Sequence, residues 1–285
     1  MSLFPLLGKK YIFIAVWLIP ILLFSSCRED ISLNSPNGLI VILKADDLGD
    51  TTANWNRFMK MVADNDICAG VGVISKKVTT ESSISEIQRI SSLLQPNKFP
   101  IIEFWNHGYD HSHFNNKYEF KGTDYNFQFD HIQLAQNFFS KSLNFTCHSF
   151  GAPFNRTSKE TASEITHFPE INVWMCYEKI ENQYQKEWKD PNKRVINATD
   201  EHIILNVDYL YFFKFPAEKI MYNYNHDKTK PYILIQIHPA AWNDDSFKKF
   251  EQLIHFYKDG NRGIFMTPYQ YYQYLHKHIN ADEIK

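Results

Sequence analysis

Apolar and polar positions along the chain repeat with two periods, one typical of buried strands and one typical of amphipathic helices. Residues 39–44 and 233–238 are nearly continuous apolar runs, whereas residues 83–94 place isoleucine and leucine at helical spacing. Continuous apolar strands that alternate with helices indicate a parallel sheet covered on both faces. Further strands are predicted at 67–74, 100–105, 146–150, 171–176, 203–207 and 263–267, and further helices at 52–65, 128–143, 244–257 and 268–279.

The number and order of these elements predict the fold class. Seven or eight strand–helix units in about 250 residues predict an α/β fold, a distorted seven- or eight-stranded (β/α) barrel that forms a single domain over 39–285. A doubly wound open sheet is the main alternative. The composition, with 44% hydrophobic and 22% charged residues among 285, is typical of a globular protein and excludes a disordered chain.

The N-terminus has the pattern of a targeting segment. Two lysines precede an apolar run over 11–24, which ends in Ser-Ser-Cys27. This pattern predicts a signal peptide over 1–27, because a membrane-spanning helix needs roughly 20 apolar residues. The ending resembles the cleavage box of bacterial lipoproteins, which implies a lipidated Cys27, a tether over 28–38 and a lipid-anchored protein in the cell envelope, on the periplasmic or surface side. An uncleaved anchor helix is the alternative.

The charge of the chain limits its possible binding partners, and the number of cysteines limits its possible disulfides. The formal net charge is −2 and the basic residues are scattered singly, so nucleic-acid binding is not expected. Besides Cys27, the chain has Cys68, Cys147 and Cys176. We predict that these three are buried small hydrophobic side chains, with one disulfide as an option, because three thiols cannot complete a disulfide framework. The sequence does not determine the oligomeric state.

Polar residues that can carry chemistry follow the predicted strands at their carboxyl ends. Barrel enzymes keep their active sites at this end of the strands. The residues are Asp46 and Asp47 after the first strand, His107 and His111 after the third, Pro153 after the fourth, and His238 after a later strand.

Three of these residues form the ligand set of a catalytic metal site. Such a site takes three histidine or carboxylate ligands and leaves a position open for water. Asp47, His107 and His111 supply that set, and the HxxxH spacing puts both imidazoles on one face if the segment forms a helical turn. Gly108 would let the backbone bend between them. The predicted cofactor is a divalent metal, with zinc as the default and cobalt, nickel or iron as alternatives.

The two adjacent aspartates are predicted to have separate roles. Neighbouring side chains on an extended segment point in opposite directions, so Asp46 and Asp47 are not expected to face each other as a glycosidase pair. One metal ligand and one base fit this arrangement better.

The motif order Asp-Asp, HxxxH, Pro-Phe and strand-end histidine resembles the polysaccharide deacetylase family, whose metal-dependent enzymes act on chitin, peptidoglycan or xylan. The motifs lie between residues 39 and 268. The resemblance implies a metal-dependent hydrolase that removes acetyl groups from a carbohydrate or envelope polysaccharide, with N-acetyl groups as the first expectation and O-acetyl groups as the second. It also implies a role for each motif residue. Asp46 would be the catalytic base, Asp47 a metal ligand with His107 and His111, His238 the general acid, and the loop of Pro153 and Phe154 the source of a backbone N–H for the oxyanion.

Two positions depart from the family pattern. Gly108 replaces the usual serine or threonine after the first histidine, and Gly151 stands where an arginine usually tunes the base. Arg156 is a candidate substitute for that arginine. The missing arginine keeps open a catalytically weak or inactive glycan-binding lipoprotein on the same barrel, and a glycoside hydrolase-like enzyme is a further alternative.

Four more residues near these motifs are candidates for supporting roles. Asp110 is a candidate partner for the ring N–H of a ligating histidine. Core packing is the default interpretation for Trp105, Tyr109 and Trp242, and a rim that stacks on sugar rings is the alternative for each.

Overall fold

The computed structural model describes residues 38–95, 99–177, 188–192, 200–211 and 215–282. The predicted signal peptide, Cys27 and all but the last residue of the tether lie outside the described residues and remain predictions. Among the described residues, no helix has the length and apolar character needed to cross a membrane.

Strands make up the centre of the molecule. They are β1 (Leu39–Leu48), β2 (Ala69–Val73), β3 (Ile102–Asn106), β4 (His113–Phe114), β5 (Lys117–Tyr118), β6 (Ser149–Phe150), β7 (Val173–Cys176), β8 (Ile203–Asn206), β9 (Tyr209–Leu210), β10 (Tyr232–Ile237) and β11 (Gly263–Met266). Eight of them follow one another in the order β8-β7-β6-β3-β2-β1-β10-β9, with every pair parallel, and β11 adds to β1. The short strands β4 and β5 form a separate antiparallel hairpin.

Helices follow most of the strands. They are α1 (Ala53–Asp64), α2 (Glu81–Ser91), α3 (Tyr125–Phe138), α4 (Lys159–Ile165), α5 (Ala217–Asp227), α6 (Asp244–Lys258) and α7 (Pro268–Asp282). Thr52, Asp124 and Asn243 cap α1, α3 and α6 by accepting a backbone N–H of the first turn. Each cap satisfies a donor that the helix itself leaves without a partner.

The central strand β1 has ten residues and pairs with three neighbours. It pairs with β10 along 40–45, with β11 along 39–42 and with β2 along 44–48. Every residue of β1 except Asp47 is also buried, so both faces of the strand are covered, which explains the continuous apolar run in the sequence. The register against β2 shifts between Ala45 and Leu48, at the point where Asp46 and Asp47 lie.

The predicted single-domain, distorted (β/α) barrel is confirmed. Within the described residues the two ends of the strand order, β8 and β9, do not pair, so the barrel is open. The helices α4 and α5 and the β4–β5 hairpin were not predicted, because they are short or carry weak apolar periodicity. The predicted helix over 128–143 is α3 followed by a π-turn, Phe139–Leu143, which ends at Asn144 with a left-handed φ of 60°.

A tryptophan fills the interior of the barrel. The indole of Trp105 is fully buried, and a Cβ atom added to Gly72 would lie 2.4 Å from it. A Cβ atom added to Gly151 would lie 2.9 Å from the same ring. The large ring therefore fits because both neighbouring strands place a glycine beside it.

The three cysteines after Cys27 are buried and form no disulfide with one another, as predicted for small hydrophobic side chains. Burial raises the pKa of the Cys68 thiol to about 12. These thiols are therefore packing groups rather than nucleophiles.

Candidate active site

Both aspartates of the Asp-Asp pair face the same histidine. His107 Nε2 lies 3.0 Å from Asp47 Oδ1 and 3.8 Å from Asp46 Oδ2. The expectation that the two carboxylates point in opposite directions is wrong. Asp47 has a φ of +74°, and this left-handed residue breaks the alternation of the strand where the register shifts.

His107 is anchored by the backbone of the strand next to its own. It follows β3, is almost fully buried, and its Nδ1 lies 2.6 Å from the Gly151 carbonyl oxygen. A carbonyl only accepts, so Nδ1 carries the proton and Nε2 is directed at Asp47. The partner that fixes this ring is thus a main-chain oxygen.

His111 reaches the same carboxylate by a route that is not helical. Its Nε2 lies 3.1 Å from Asp47 Oδ1. The segment between His107 and His111 is an irregular loop with φ values of +78° at Gly108 and +58° at His111, so the expected helical turn is wrong. Two left-handed residues turn the chain back and bring the imidazoles together.

A buried glutamate holds this loop in place. Glu119, just after β5, accepts the backbone N–H groups of Tyr109 at 2.5 Å and His111 at 2.7 Å. His131 Nδ1, from α3, lies 2.9 Å from the same carboxylate. Sequence analysis missed Glu119. The Asn115-Asn116 pair, which forms the left-handed turn of the β4–β5 hairpin, is a signal that such a hairpin follows the histidines.

The three predicted metal ligands meet in one cluster. Asp47, His107 and His111 each offer one ligand atom, and these atoms lie within 4.8 Å of one another. Burial by itself raises the pKa of Asp47, but the adjacent rings of His107 and His111, when they carry a proton on Nε2, outweigh burial and hold that pKa well below its ordinary value. With neutral rings, all three atoms turn lone pairs toward one another, and a divalent cation is a partner that they can share. The donor set therefore fits a divalent metal.

Asp46 is bound to a lysine that sequence analysis missed. Lys44 is fully buried, and its Nζ lies 2.5 Å from Asp46 Oδ2. Burial lowers the pKa of Lys44, and the Asp46 carboxylate opposes that shift. The sequence signal was a lysine at the end of an apolar strand with an aspartate two residues later, since residues i and i+2 share one face.

His238 comes from the opposite side of the cluster. It follows β10, its Nδ1 lies 2.9 Å from the Tyr211 carbonyl oxygen, and its Nε2 lies 3.8 Å from Asp47 Oδ2. As with His107, a backbone carbonyl binds one ring nitrogen and directs the other toward the carboxylates.

The proline loop borders the cluster on its solvent side. Pro153–Asn155 form a 3₁₀ turn after β6, in which Phe154 has a φ of +59°. The Phe154 ring is 42% exposed, and its centroid lies 4.1 Å from that of His111. The structure therefore brings Pro153 and Phe154 to the candidate metal ligands.

Comparison with proteins of known structure identifies the architecture. No protein-family model and no curated protein sequence matches this chain. A peptidoglycan deacetylase from Bacillus subtilis superposes with a TM-score of 0.55 at 14% identity, over 87% of this chain and 96% of that one. A family 4 acetyl xylan esterase from Clostridium thermocellum, in complex with a cobalt ion, gives 0.53 at 13% identity, over 82% and 91%. The chain has the fold of the family 4 carbohydrate esterases.

The same fold also occurs in a protein described as a pseudoenzyme. A family 4 pseudoenzyme from Bacillus anthracis superposes with a TM-score of 0.50 at 13% identity, over 81% of this chain and 65% of that one. At such identities the likeness shows the fold alone. What this chain does within the family 4 fold must be argued from its own residues.

Two predicted sugar-contacting residues belong to the core. Trp105 fills the barrel, and Trp242 is 4% exposed, with its ring 5.2 Å from both Phe247 and Phe250. Neither can stack on a sugar at the surface, so the default of core packing is confirmed for both tryptophans and the rim alternative is excluded for them. Aromatic rings pack around Trp242, and glycines beside Trp105 leave room for its indole.

The remaining predicted residues lie at the edge of the cluster. Asp110 accepts the backbone N–H of Ser112 at 3.0 Å and lies 3.5 Å from Lys76 Nζ. The Tyr109 ring packs edge-on against that of His131. Arg156 is exposed, with its guanidinium over the ring of Tyr118. A different cation, Lys44, contacts Asp46 at the place where Arg156 was a candidate.

Proposed function

We propose that this chain is a divergent family 4 carbohydrate esterase, a metal-dependent hydrolase that removes acetyl groups from a polysaccharide. The observation that carries the proposal is the cluster of Asp47, His107 and His111, flanked by Asp46 on one side and His238 on the other. N-acetyl groups are the expected substrate, and O-acetyl groups are the second choice. Zinc is the default ion, with cobalt, nickel or iron as alternatives.

The residues around the cluster divide the chemistry between them. A divalent ion held by the three ligands supplies Lewis acidity, which polarises the acetyl carbonyl and lowers the pKa of water. Asp46 takes the proton of the attacking water, and His238 Nε2 gives a proton to the departing nitrogen or oxygen. The backbone N–H at Phe154 is proposed to stabilise the oxyanion. The products are acetate and a deacetylated sugar.

The first experiment measures metal content. The full-length protein is expected to contain about one equivalent of divalent metal, and Asp47→Ala/His107→Ala is expected to lose it, because two of three ligands are removed. The matched control is His255→Ala/Asp259→Ala, which removes an exposed histidine–aspartate pair at the C-terminal end of α6. A wild-type protein that is metal-free and takes up none on addition would contradict the proposal.

Product analysis then identifies the reaction. Acetylated chitooligosaccharides, peptidoglycan and acetylated xylan are expected to release acetate without any change in chain length, whereas a glycoside hydrolase shortens the chain. Asp46→Asn is expected to lower kcat by roughly 10²- to 10⁴-fold while the metal is retained, because a general base is removed without a ligand.

A glycan-binding protein without turnover is the second candidate. It is supported by Gly151, which stands where the family carries an arginine, and by the exposed Phe154 and Phe114 rings, which offer flat surfaces to sugars. Binding of these glycans with no acetate release from any of them would favour it.

We also propose that the protein is anchored in the bacterial cell envelope through lipid on Cys27. The support is the apolar run over 11–24 and the Ser-Ser-Cys ending. Cys27→Ala is expected to abolish incorporation of labelled fatty acid and to leave the protein in its precursor form. Unchanged labelling would show that Cys27 is not the acceptor.

A further inference from the structure

A fully buried lysine lies beneath the candidate site, inside the barrel. Lys44 and Asp46 are two residues apart on β1, so they face the barrel interior together. Lys44 Nζ donates to Asp46 Oδ2 at 2.5 Å and lies 4.8 Å from the centroid of the Trp105 ring. Burying an ammonium group is costly unless it is paired, so the position of Lys44 requires an explanation beyond packing.

The space that Lys44 occupies exists because residue 151 has no side chain. A Cβ atom added to Gly151 would lie 3.1 Å from Lys44 Cε. The carbonyl of the same glycine is the partner of His107 Nδ1. Gly151 therefore has two roles. Because it has no side chain, it leaves room for the Lys44 side chain, and its backbone carbonyl orients the candidate metal ligand His107.

The two oxygens of Asp46 have different environments. Oδ2 is held by Lys44, whereas Oδ1 is buried and has no hydrogen-bond partner among the described residues. A buried carboxylate oxygen without a partner is costly, and such an atom at a reaction centre is free to accept a proton.

We propose that Lys44 is the positioning residue for the base Asp46: it binds Oδ2 and fixes the carboxylate so that Oδ1 faces the attacking water. This role rests on the proposed function, and Lys44 itself touches neither substrate nor metal. The hydrogen bond from Lys44 restrains rotation of the Asp46 carboxylate.

The test compares three lysine variants of the full-length protein on an acetylated glycan that the wild type turns over. Lys44→Met, close in size but without a donor, is expected to lower kcat by roughly 10²-fold with KM and metal content unchanged. Lys44→Arg, which keeps a cationic donor, is expected to recover part of that loss. The matched control is Lys60→Met, because Lys60 forms an exposed lysine–aspartate pair with Asp64 at 2.6 Å.

Each outcome of this test has a distinct meaning. Wild-type kcat in Lys44→Met, or activity lost in proportion to metal, would overturn the positioning role and leave the proposed function standing. A wild type without turnover would overturn the proposed function and this role with it. If Lys44→Met does not fold, Lys44→Gln takes its place, because the shorter and neutral glutamine puts its amide N–H farther from Asp46 Oδ2 than the lysine Nζ. An unchanged kcat in Lys44→Gln would overturn the positioning role.

Discussion

Left-handed backbone conformations mark the candidate site at the scale of single residues. Nine non-glycine residues within the described ranges have a positive φ, and seven of them are asparagine or aspartate, which tolerate it. The other two are His111 and Phe154, and their rings pack against each other beside Asp47. Such residues persist only where their surroundings hold them, and they cluster at functional sites.

A substitution at Gly108 tests whether the left-handed backbone of this loop supports the candidate metal site. Its φ is +78°, and a Cβ atom there would lie 2.8 Å from the Glu119 carboxylate and 2.9 Å from Pro153. Gly108→Ala is expected to cost about 1–3 kcal/mol of unfolding free energy, from the backbone conformation and the clash together, and to weaken metal binding. Urea unfolding and metal titration measure the two effects.

Gly122→Ala is the control for the backbone contribution. Gly122 has nearly the same φ, +79°, but a Cβ atom there would meet nothing nearer than 3.5 Å. It is expected to lose less stability and no metal affinity. Equal losses of stability and of metal affinity in both variants would show that the contact between residue 108 and Glu119 affects neither property.

At the scale of elements, a hairpin outside the main sheet positions a ligand of the candidate metal site. The β4–β5 hairpin places Glu119 beneath the loop that carries His111, and α3 adds His131 to the same carboxylate. A carboxylate can accept several N–H groups at once, so one buried side chain sets the path of three loop residues.

Glu119→Gln is expected to weaken metal binding by about 10- to 100-fold, although no ligand changes, because the amide nitrogen repels the backbone N–H groups that the carboxylate accepts. Competition against a chelator of known affinity measures this. The control is Glu86→Gln, which alters a half-buried glutamate paired with Arg89 on the surface of α2. Affinity equal to that of the wild type would exclude the holding role of Glu119.

At the scale of the whole molecule, burial of an acid couples stability to pH. Glu164 on α4 is fully buried, and burial raises its pKa to about 7. A carboxyl group whose pKa is higher in the folded than in the unfolded protein binds its proton more tightly when folded. Its contribution is therefore fully present below about pH 4 and is lost as the pH rises through about 7.

Glu164→Gln is accordingly expected to stabilise the protein at pH 8, by on the order of 1–3 kcal/mol, and to have little effect at pH 4. Glu160→Gln is the control on the same helix, because the pKa of Glu160 is lowered and its loss is not expected to stabilise. Thermal unfolding of both variants between pH 4 and pH 8 measures this difference. A gain in stability of Glu164→Gln at pH 4 equal to that at pH 8 would contradict the prediction.

Local pattern determined the main strands, their helices and the barrel class. A parallel strand covered on both faces must be apolar throughout, so β1 and β10 are legible in the sequence alone. The carboxyl ends of such strands meet at one end of the barrel, which is why residues as distant as Asp47, His107 and His238 were predicted to lie together.

The tertiary structure decided how those residues are held. Core packing was the default for Trp105, but only the structure shows that it lies inside the barrel, where glycines beside it leave room for the indole. Lys44 occupies the space beside Gly151, and Glu119 binds a loop that precedes its own hairpin. The apolar and polar periodicity of a sequence does not show which side chain fills the space that another leaves. The sequence by itself determined which groups gather, and packing determined which way each one points.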